Sequence, residues 1–202
     1  RSSGSGTSFA TPVITGTAAL VKQKYPWMNS DLVRQTILST ATDKGDKGVD
    51  KVYGWGLVNV SKAVKGPALF DKRLALGDYV NVSFDNVTSS FDNNIGGDAG
   101  LIKDGSGTLL LTGVNSYTGN NIIKNGQLKI NGSSVSGVAI QSQGVLSGDG
   151  GYIASNVVNE GGTLVNEGAG LTIQGDYSAT SSSIIESEPN ATLKIKGKAI
   201  LN

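Results

Sequence analysis

The sequence has no histidine, no cysteine and a single methionine in 202 residues, and charged side chains make up only 16% of it. Each shortage closes off some chemistry. Without cysteine there are no disulfides, no thiolate metal sites and no cysteine nucleophile. Small extracellular animal domains usually need disulfides, so the same absence leans towards bacterial export. Without histidine the chain lacks the side chain whose pKa suits general-base work near neutral pH, so it has no ordinary means of activating a hydroxyl. A formal net charge of +1 gives no field strong enough to select nucleic acid or an acidic surface as partner. No apolar run approaches the ~18 residues needed to cross a bilayer. The start, Arg1-Ser2-Ser3-Gly4-Ser5-Gly6, has no apolar core of the signal-peptide kind. With no initiator methionine either, the chain reads as an internal segment of something longer. Its composition changes near residue 66, which favours two pieces over one.

The stretch that organises the first piece is Gly6-Thr7-Ser8-Phe9-Ala10-Thr11-Pro12. It reads as a serine on the first turn of a helix. Pro12 sits where a first-turn proline is tolerated, and Val13 to Lys24 has helical length, with Gly16, Ala18 and Ala19 suiting a mostly buried helix packed backbone-close on its neighbours. Lys22 and Lys24 complement the helix dipole, and Pro26 stops the helix. A second helix starts after Asn29 or Ser30, either of which can cap it. Asp31 falls in its first turn, and Leu32, Val33, Ile37 and Leu38 form one apolar side. It ends near Thr40-Ala41-Thr42. Asp43 to Lys51 is a loop whose aspartates miss the spacing of an EF-hand and are interleaved with lysines, so it reads as solvated. Val52 to Val60 is a glycine-punctuated turn into a short helix at Ser61 to Val64. Gly54 and Gly56 lack the third glycine of a dinucleotide fingerprint.

Taken in order, Gly6-Thr7-Ser8-x-Ala10-x-Pro12 opening a helix, a second helix ending in Thr40-Ala41-Thr42, and Tyr53-Gly54-x-Gly56-Leu57-Val58-Asn59 followed by Ala63 resemble the C-terminal end of a subtilisin-like serine peptidase domain. The match covers about a third of the chain. The resemblance implies that Ser8 is the nucleophile and that its backbone N–H contributes to the oxyanion hole, with Gly6, Thr7, Ala10 and Pro12 supporting the motif. The residue types suit this chemistry, since Gly6 keeps side chains away from substrate, and unpaired N–H groups at a helix N-terminus favour a developing oxyanion. In this family the serine comes last along the chain, after Asp and His, so the base, the aspartate, the oxyanion-hole asparagine and the parallel sheet are expected upstream. Without that context, Ser8 reads as a helix cap in a glycine loop; a cap and a nucleophile are compatible.

Beyond Gly66-Pro67 helical periodicity disappears and Gly, Asn, Ser and Thr dominate. Residues 67–100 carry short alternations such as Tyr79-Val80-Asn81-Val82-Ser83-Phe84 and read as a junction of short strands. From Gly105 onward, strands of about five residues recur with Gly or Asn at the corners, the pattern of a sandwich or a parallel solenoid. Gly105 to Gly132 resembles the autotransporter-associated strand repeat of bacterial passenger domains, and Leu146 to Gly150, Gly162 to Leu164, Leu171 to Tyr177 and Leu193 to Gly197 continue in the same manner. The resemblance implies a right-handed parallel β-helix over residues 101–202, with more coils beyond Asn202. Gly-Gly-x-Gly-x-Asp does not recur in tandem, which argues against calcium nonapeptide repeats. The Asn-x-Ser/Thr sites, including Asn81, Asn86, Asn131 and Asn190, would accept glycans only in a eukaryotic secretory pathway.

The fold class expected is therefore mixed: a helical remnant of an α/β subtilisin-like domain over residues 1–66, the junction, and then the β-solenoid. The function implied is that of a secreted or surface serine endopeptidase, to which this stretch contributes the nucleophile and the start of a stalk, and which is inactive without its His and Asp. The alternative is a non-enzymatic passenger, adhesin or stalk, with a relic protease segment. Expected partners are protein or peptide substrates, the upstream catalytic domain and a downstream outer-membrane β-barrel of the same chain, with no nucleic acid and no membrane-spanning segment in this stretch. No cofactor is expected here, any structural calcium lying in upstream parts. The expected location is the bacterial cell surface or the medium.

Overall fold

A computed structural model describes residues 6–202; Arg1 to Ser5, where the sequence shows no signal-like core, lie outside the described residues. The helical part contains α1 (Thr7–Lys24), α2 (Ser30–Ser39) and α3 (Val60–Ala63). Local chemistry sets their ends. Asn29 caps α2 by accepting from the Leu32 N–H, and Asn59 caps α3 by accepting from Lys62 N–H. Lys22 Nζ donates to the Pro26 and Met28 carbonyls at 2.7 and 2.6 Å, tying down the chain that leaves α1. α2 buries Leu32, Val33 and Ile37, the apolar side expected from the sequence.

Two expectations for α1 need correction. The helix begins at Thr7, so Pro12 lies inside it rather than in its first turn. Nor is it mostly buried: only Thr17 and Val21 are, while Phe9, Val13, Ile14 and Leu20 are 43 to 63% exposed. One side of the helix rests on α2 and α3, and its other side is uncovered among the described residues.

A two-residue strand, β1 (Leu69–Phe70), and a short helix, α4 (Lys72–Ala75), lead into the solenoid. Asp71 caps α4 by accepting from Arg73 N–H and pairs with the Arg73 guanidinium, which holds its carboxyl below the usual range. Coil 1 consists of β2 (Tyr79–Ser83), β3 (Thr88–Phe91) and β4 (Gly96–Gly97), and coil 2 of β5 (Gly100–Asp104), β6 (Thr108–Leu111) and β7 (Val114–Asn115). In coil 3, β8 (Asn121–Ile130) runs across two faces before β9 (Ser133–Ser134); coil 4 repeats this with β10 (Val138–Gly148) and β11 (Tyr152–Ile153). Coil 5 is β12 (Val157–Glu160), β13 (Thr163–Asn166) and β14 (Thr172–Ile173), and coil 6 is β15 (Tyr177–Ala179), β16 (Ile184–Ser187) and β17 (Lys194–Ile195). A last strand, β18 (Ala199–Leu201), pairs with β15.

Every pair of strands between coils is parallel, one isolated antiparallel bridge at Gln141↔Gly161 aside, so the fold is a parallel β-solenoid of about six turns. Residues 67–100, read from sequence as a junction, already contain the whole of coil 1, because β2 pairs with β5 and β3 with β6. Register stacks like on like. Leu109, Leu128, Leu146 and Leu164 form one fully buried column, and Phe91, Leu111 and Ile130 another. Such columns exist because each coil exposes an apolar face that only the next can cover.

Corners are tight where coils nearly touch. Gly105 and Gly126 occupy the same corner of successive coils with φ of 73° and 65°, and a Cβ on Gly126 would lie 2.3 Å from the Gly105 carbonyl oxygen. Loop carboxylates and amides then staple coil to coil through backbone N–H groups: Asp85 accepts from Ser106, Asn94 from Val114, Asn131 from Asp149, Asp149 from Ala169 and Asn156 from Asp176.

One column carries a charge. Lys103 stands between Val82 and Ile123, wholly buried, and its ammonium donates to the carbonyls of Asp104, Gly105 and Asn125 at 2.7, 2.7 and 3.3 Å over the ring of Phe84. Burial lowers its pKa from 10.5 to about 8, while Asp104 and Asp85 act in the opposite direction.

Two expectations follow for stability. Leu128→Ala leaves a cavity in a fully buried column and should lower the unfolding free energy by ~2–5 kcal/mol in urea titrations; a loss under about 1 kcal/mol would mean the column is loosely packed. For Lys103 the unfolded chain binds the proton more tightly than the folded one, so stability rises with pH between about 8 and 10.5. Relative to Lys103→Met, the parent should gain on the order of 3 kcal/mol or less across that window, and a flat difference would contradict the burial of the ammonium.

Candidate functional site

Ser8 occupies the second position of α1, exposed to solvent. The N-cap is Gly6, with φ 129° and ψ 163°, a conformation that side chains oppose. Gly6 offers no side-chain cap, and α1 has no acidic residue in its first turn. The positive end of this 18-residue helix is therefore uncompensated by its own sequence. Phe9 N–H bonds to the Gly6 carbonyl at 3.1 Å. The N–H groups of Thr7 and Ser8 belong to the first turn, where a helix supplies no acceptor of its own.

Ser8 is thus not the helix cap; that place belongs to Gly6. Thr7 begins the helix, and its carbonyl accepts from Thr11 Oγ1 at 3.1 Å. Ala10 lies one position beyond Phe9, exposed like its neighbours. Pro12 has no N–H to give the Ser8 carbonyl four residues back, so the backbone bond that would brace the serine is missing. All five motif residues form one continuous, solvent-facing helix start.

A hydroxyl at this position can attack a carbonyl carbon, and adjacent N–H groups can donate to the resulting oxyanion. The reaction also needs a base, and no imidazole exists anywhere in the 202 residues. Among the described residues no group of three His, Cys, Asp or Glu side chains is placed to hold a metal ion. In the loop after α2, Asp43 accepts from Gly48 N–H and Asp50 from Val52 and Tyr53 N–H, so these carboxylates shape turns. An apolar groove of about 640 Å³ runs between α1 and α2, lined by Ile14, Ala18, Met28, Val33 and Ile37.

Residues 2–56 match the subtilase family, and residues 101–130 match the passenger-associated transport repeat. The chain joins a subtilase segment to a passenger repeat. It is 39% identical to the neisserial autotransporter lipoprotein NalP of Neisseria meningitidis over 98% of its own length and 16% of that protein's. It is 36% identical to an extracellular serine protease of Serratia marcescens, over 82% of the chain and 19% of that protein. Its likeness to the adhesin BmaC autotransporter of Brucella suis is 37%, over 78% of the chain and 4% of that protein. The chain therefore spans less than a fifth of the length of these relatives.

Sequence reasoning missed the residues that hold the serine-bearing helix in place. Tyr25, the C-cap of α1, donates from its hydroxyl to the Ser90 carbonyl at 2.9 Å, and Trp27 stacks on Phe84 with ring centroids 4.2 Å apart. Tyr25-Pro26-Trp27 is legible only as a helix stop; its partners lie some sixty residues on.

The subtilase segment begins its helix with an unbraced turn, and this can be tested locally. Pro12→Ala supplies the missing N–H, removing a helix-interior penalty of ~3 kcal/mol. Hydrogen exchange of the amides following residue 11 should slow by roughly tenfold or more, tenfold being about 1.4 kcal/mol. Unchanged exchange would show that the first turns of α1 do not form in solution.

Proposed function

We propose that this chain is part of a bacterial autotransporter serine protease exposed at the cell surface or released from it, and that Ser8 is the nucleophile. The observation that carries the reading is the placement of Ser8 at the second position of α1, behind a positive-φ Gly6, inside the span that matches the subtilase family. The protease and autotransporter names of the Neisseria and Serratia relatives support it.

The reaction is peptide-bond hydrolysis. Ser8 Oγ attacks the scissile carbonyl carbon while its proton passes to an imidazole from another part of the protein; the carbonyl π electrons move to oxygen, and the Ser8 N–H with its helix end holds that oxyanion. Collapse expels the amine, which takes the proton back, and water repeats the attack on the acyl-enzyme. Substrates are proteins or peptides. The exposed apolar side of α1, with Val13, Ile14 and Leu20, is where the remainder of the catalytic domain packs and brings the base to Ser8. The solenoid forms the stalk between this domain and a membrane-embedded β-barrel. No helix among the described residues is long and apolar enough to cross a membrane, which says nothing about a barrel.

A second reading, an adhesin or stalk retaining a relic subtilase segment, is favoured by the likeness to the Brucella adhesin autotransporter. The two separate in one assay. In the full-length protein, Ser8→Ala should reduce peptide hydrolysis by at least ~10³-fold with the fold intact. Activity undiminished in the variant would overturn the role of Ser8, and a parent that hydrolyses nothing would favour the adhesin.

A further inference from the structure

A parallel stack ends in a strand edge whose N–H and C=O groups point at nothing, and such edges recruit other strands. The edge of coil 1 is different. On the third face β1 pairs with β4 through Leu69↔Gly96 and Phe70↔Gly97. On the second face Tyr25 Oη donates to the outward Ser90 carbonyl of β3 at 2.9 Å, and Trp27 Nε1 donates to Ser89 Oγ at 3.1 Å. Beside them Asp92 N–H donates to the Lys65 carbonyl, and Asn93 Nδ2 to the carbonyls of Lys62 and Gly66. Beneath the edge, Phe84 stacks on Trp27 and Phe91 meets Tyr25 edge-on at 5.9 Å. The helices and the coils share one buried apolar cluster.

We infer that the segment before coil 1, the subtilase-matched helices α1 and α2 together with α3 and β1, has a second role as the N-terminal cap of the solenoid: it closes the edge of coil 1 against strand addition and makes helices and coils one cooperative unit. The polar groups of the edge find donors and acceptors on the cap, and the apolar end of the coil finds aromatic rings, so neither side is satisfied alone. α1 carries Ser8 at one end and the Tyr25-Trp27 anchor at the other, so the cap also fixes the serine-bearing helix to the stalk. This role rests on the packing alone and stands or falls independently of whether Ser8 is catalytic.

The chain contains two tryptophans, and Trp55→Phe leaves Trp27 as the only indole, reporting the cap, while far-UV circular dichroism reports the strands. In urea the two signals should change together with one midpoint, and Phe84→Ala should move both midpoints down by the same amount. If Phe84→Ala does not fold, Ser89→Ala removes only the acceptor of Trp27 Nε1 and should shift both midpoints together by less. A Trp27 transition at lower urea with the strand signal unchanged, or a variant that moves one midpoint only, would overturn the inference.

Discussion

The stacking of like side chains one coil apart is the constraint on which everything after residue 69 depends. A single coil of 17 to 22 residues, as in Asn121↔Val138 and Tyr177↔Ala199, has too few local contacts to hold an apolar face in water. Its leucines are stable only between leucines. The column from Leu109 to Leu164 therefore sets the register, and the register in turn demands glycine at corners where backbones meet. Lys103 is the exception that fits the rule, because its aliphatic stem fills the column between Val82 and Ile123 while three corner carbonyls take its ammonium.

The same constraint creates the need at the ends. A stack that is stable only between neighbours has a weak first member, and in this chain that member is covered by helices of subtilase type. The aromatic contacts of Tyr25 and Trp27 thus join the span matched to the subtilase family to the first coil of the solenoid. Ser8 stands near the far end of the 18-residue helix that Tyr25 terminates, so most of that helix separates the nucleophile candidate from the stalk.

Much of this is legible in the sequence where the signal is local. Asn29 before an apolar stripe, Pro26 after two lysines, and the Gly-x-Leu and Asn-x-Tyr-x-Gly pattern of residues 105–132 each carry their own mechanism. Coil 1 is not legible, because Tyr79 to Phe84 alternates like any strand and no glycine follows it before Gly96-Gly97, whereas coils 2 and 3 turn their first corners at Gly105 and Gly126. Nor is α4, four residues held by the Asp71 cap. The serine motif suggests a later helix start, with Pro12 in the first turn; Gly6, free to adopt φ 129°, lets the helix begin at Thr7 instead. Contacts such as Trp27 on Phe84 leave no periodic trace, being made between segments whose spacing is set only by the fold.

The proposed function makes the serine at this helix start a nucleophile once the rest of the protein supplies its base. Reacting the full-length protein with a serine-directed fluorophosphonate and mapping the adduct by mass spectrometry tests this most directly. The expected result is one phosphonyl group on the peptide containing Ser8, with none on the denatured protein. An intact, folded protein left unlabelled at Ser8, or labelled on another serine, would contradict it.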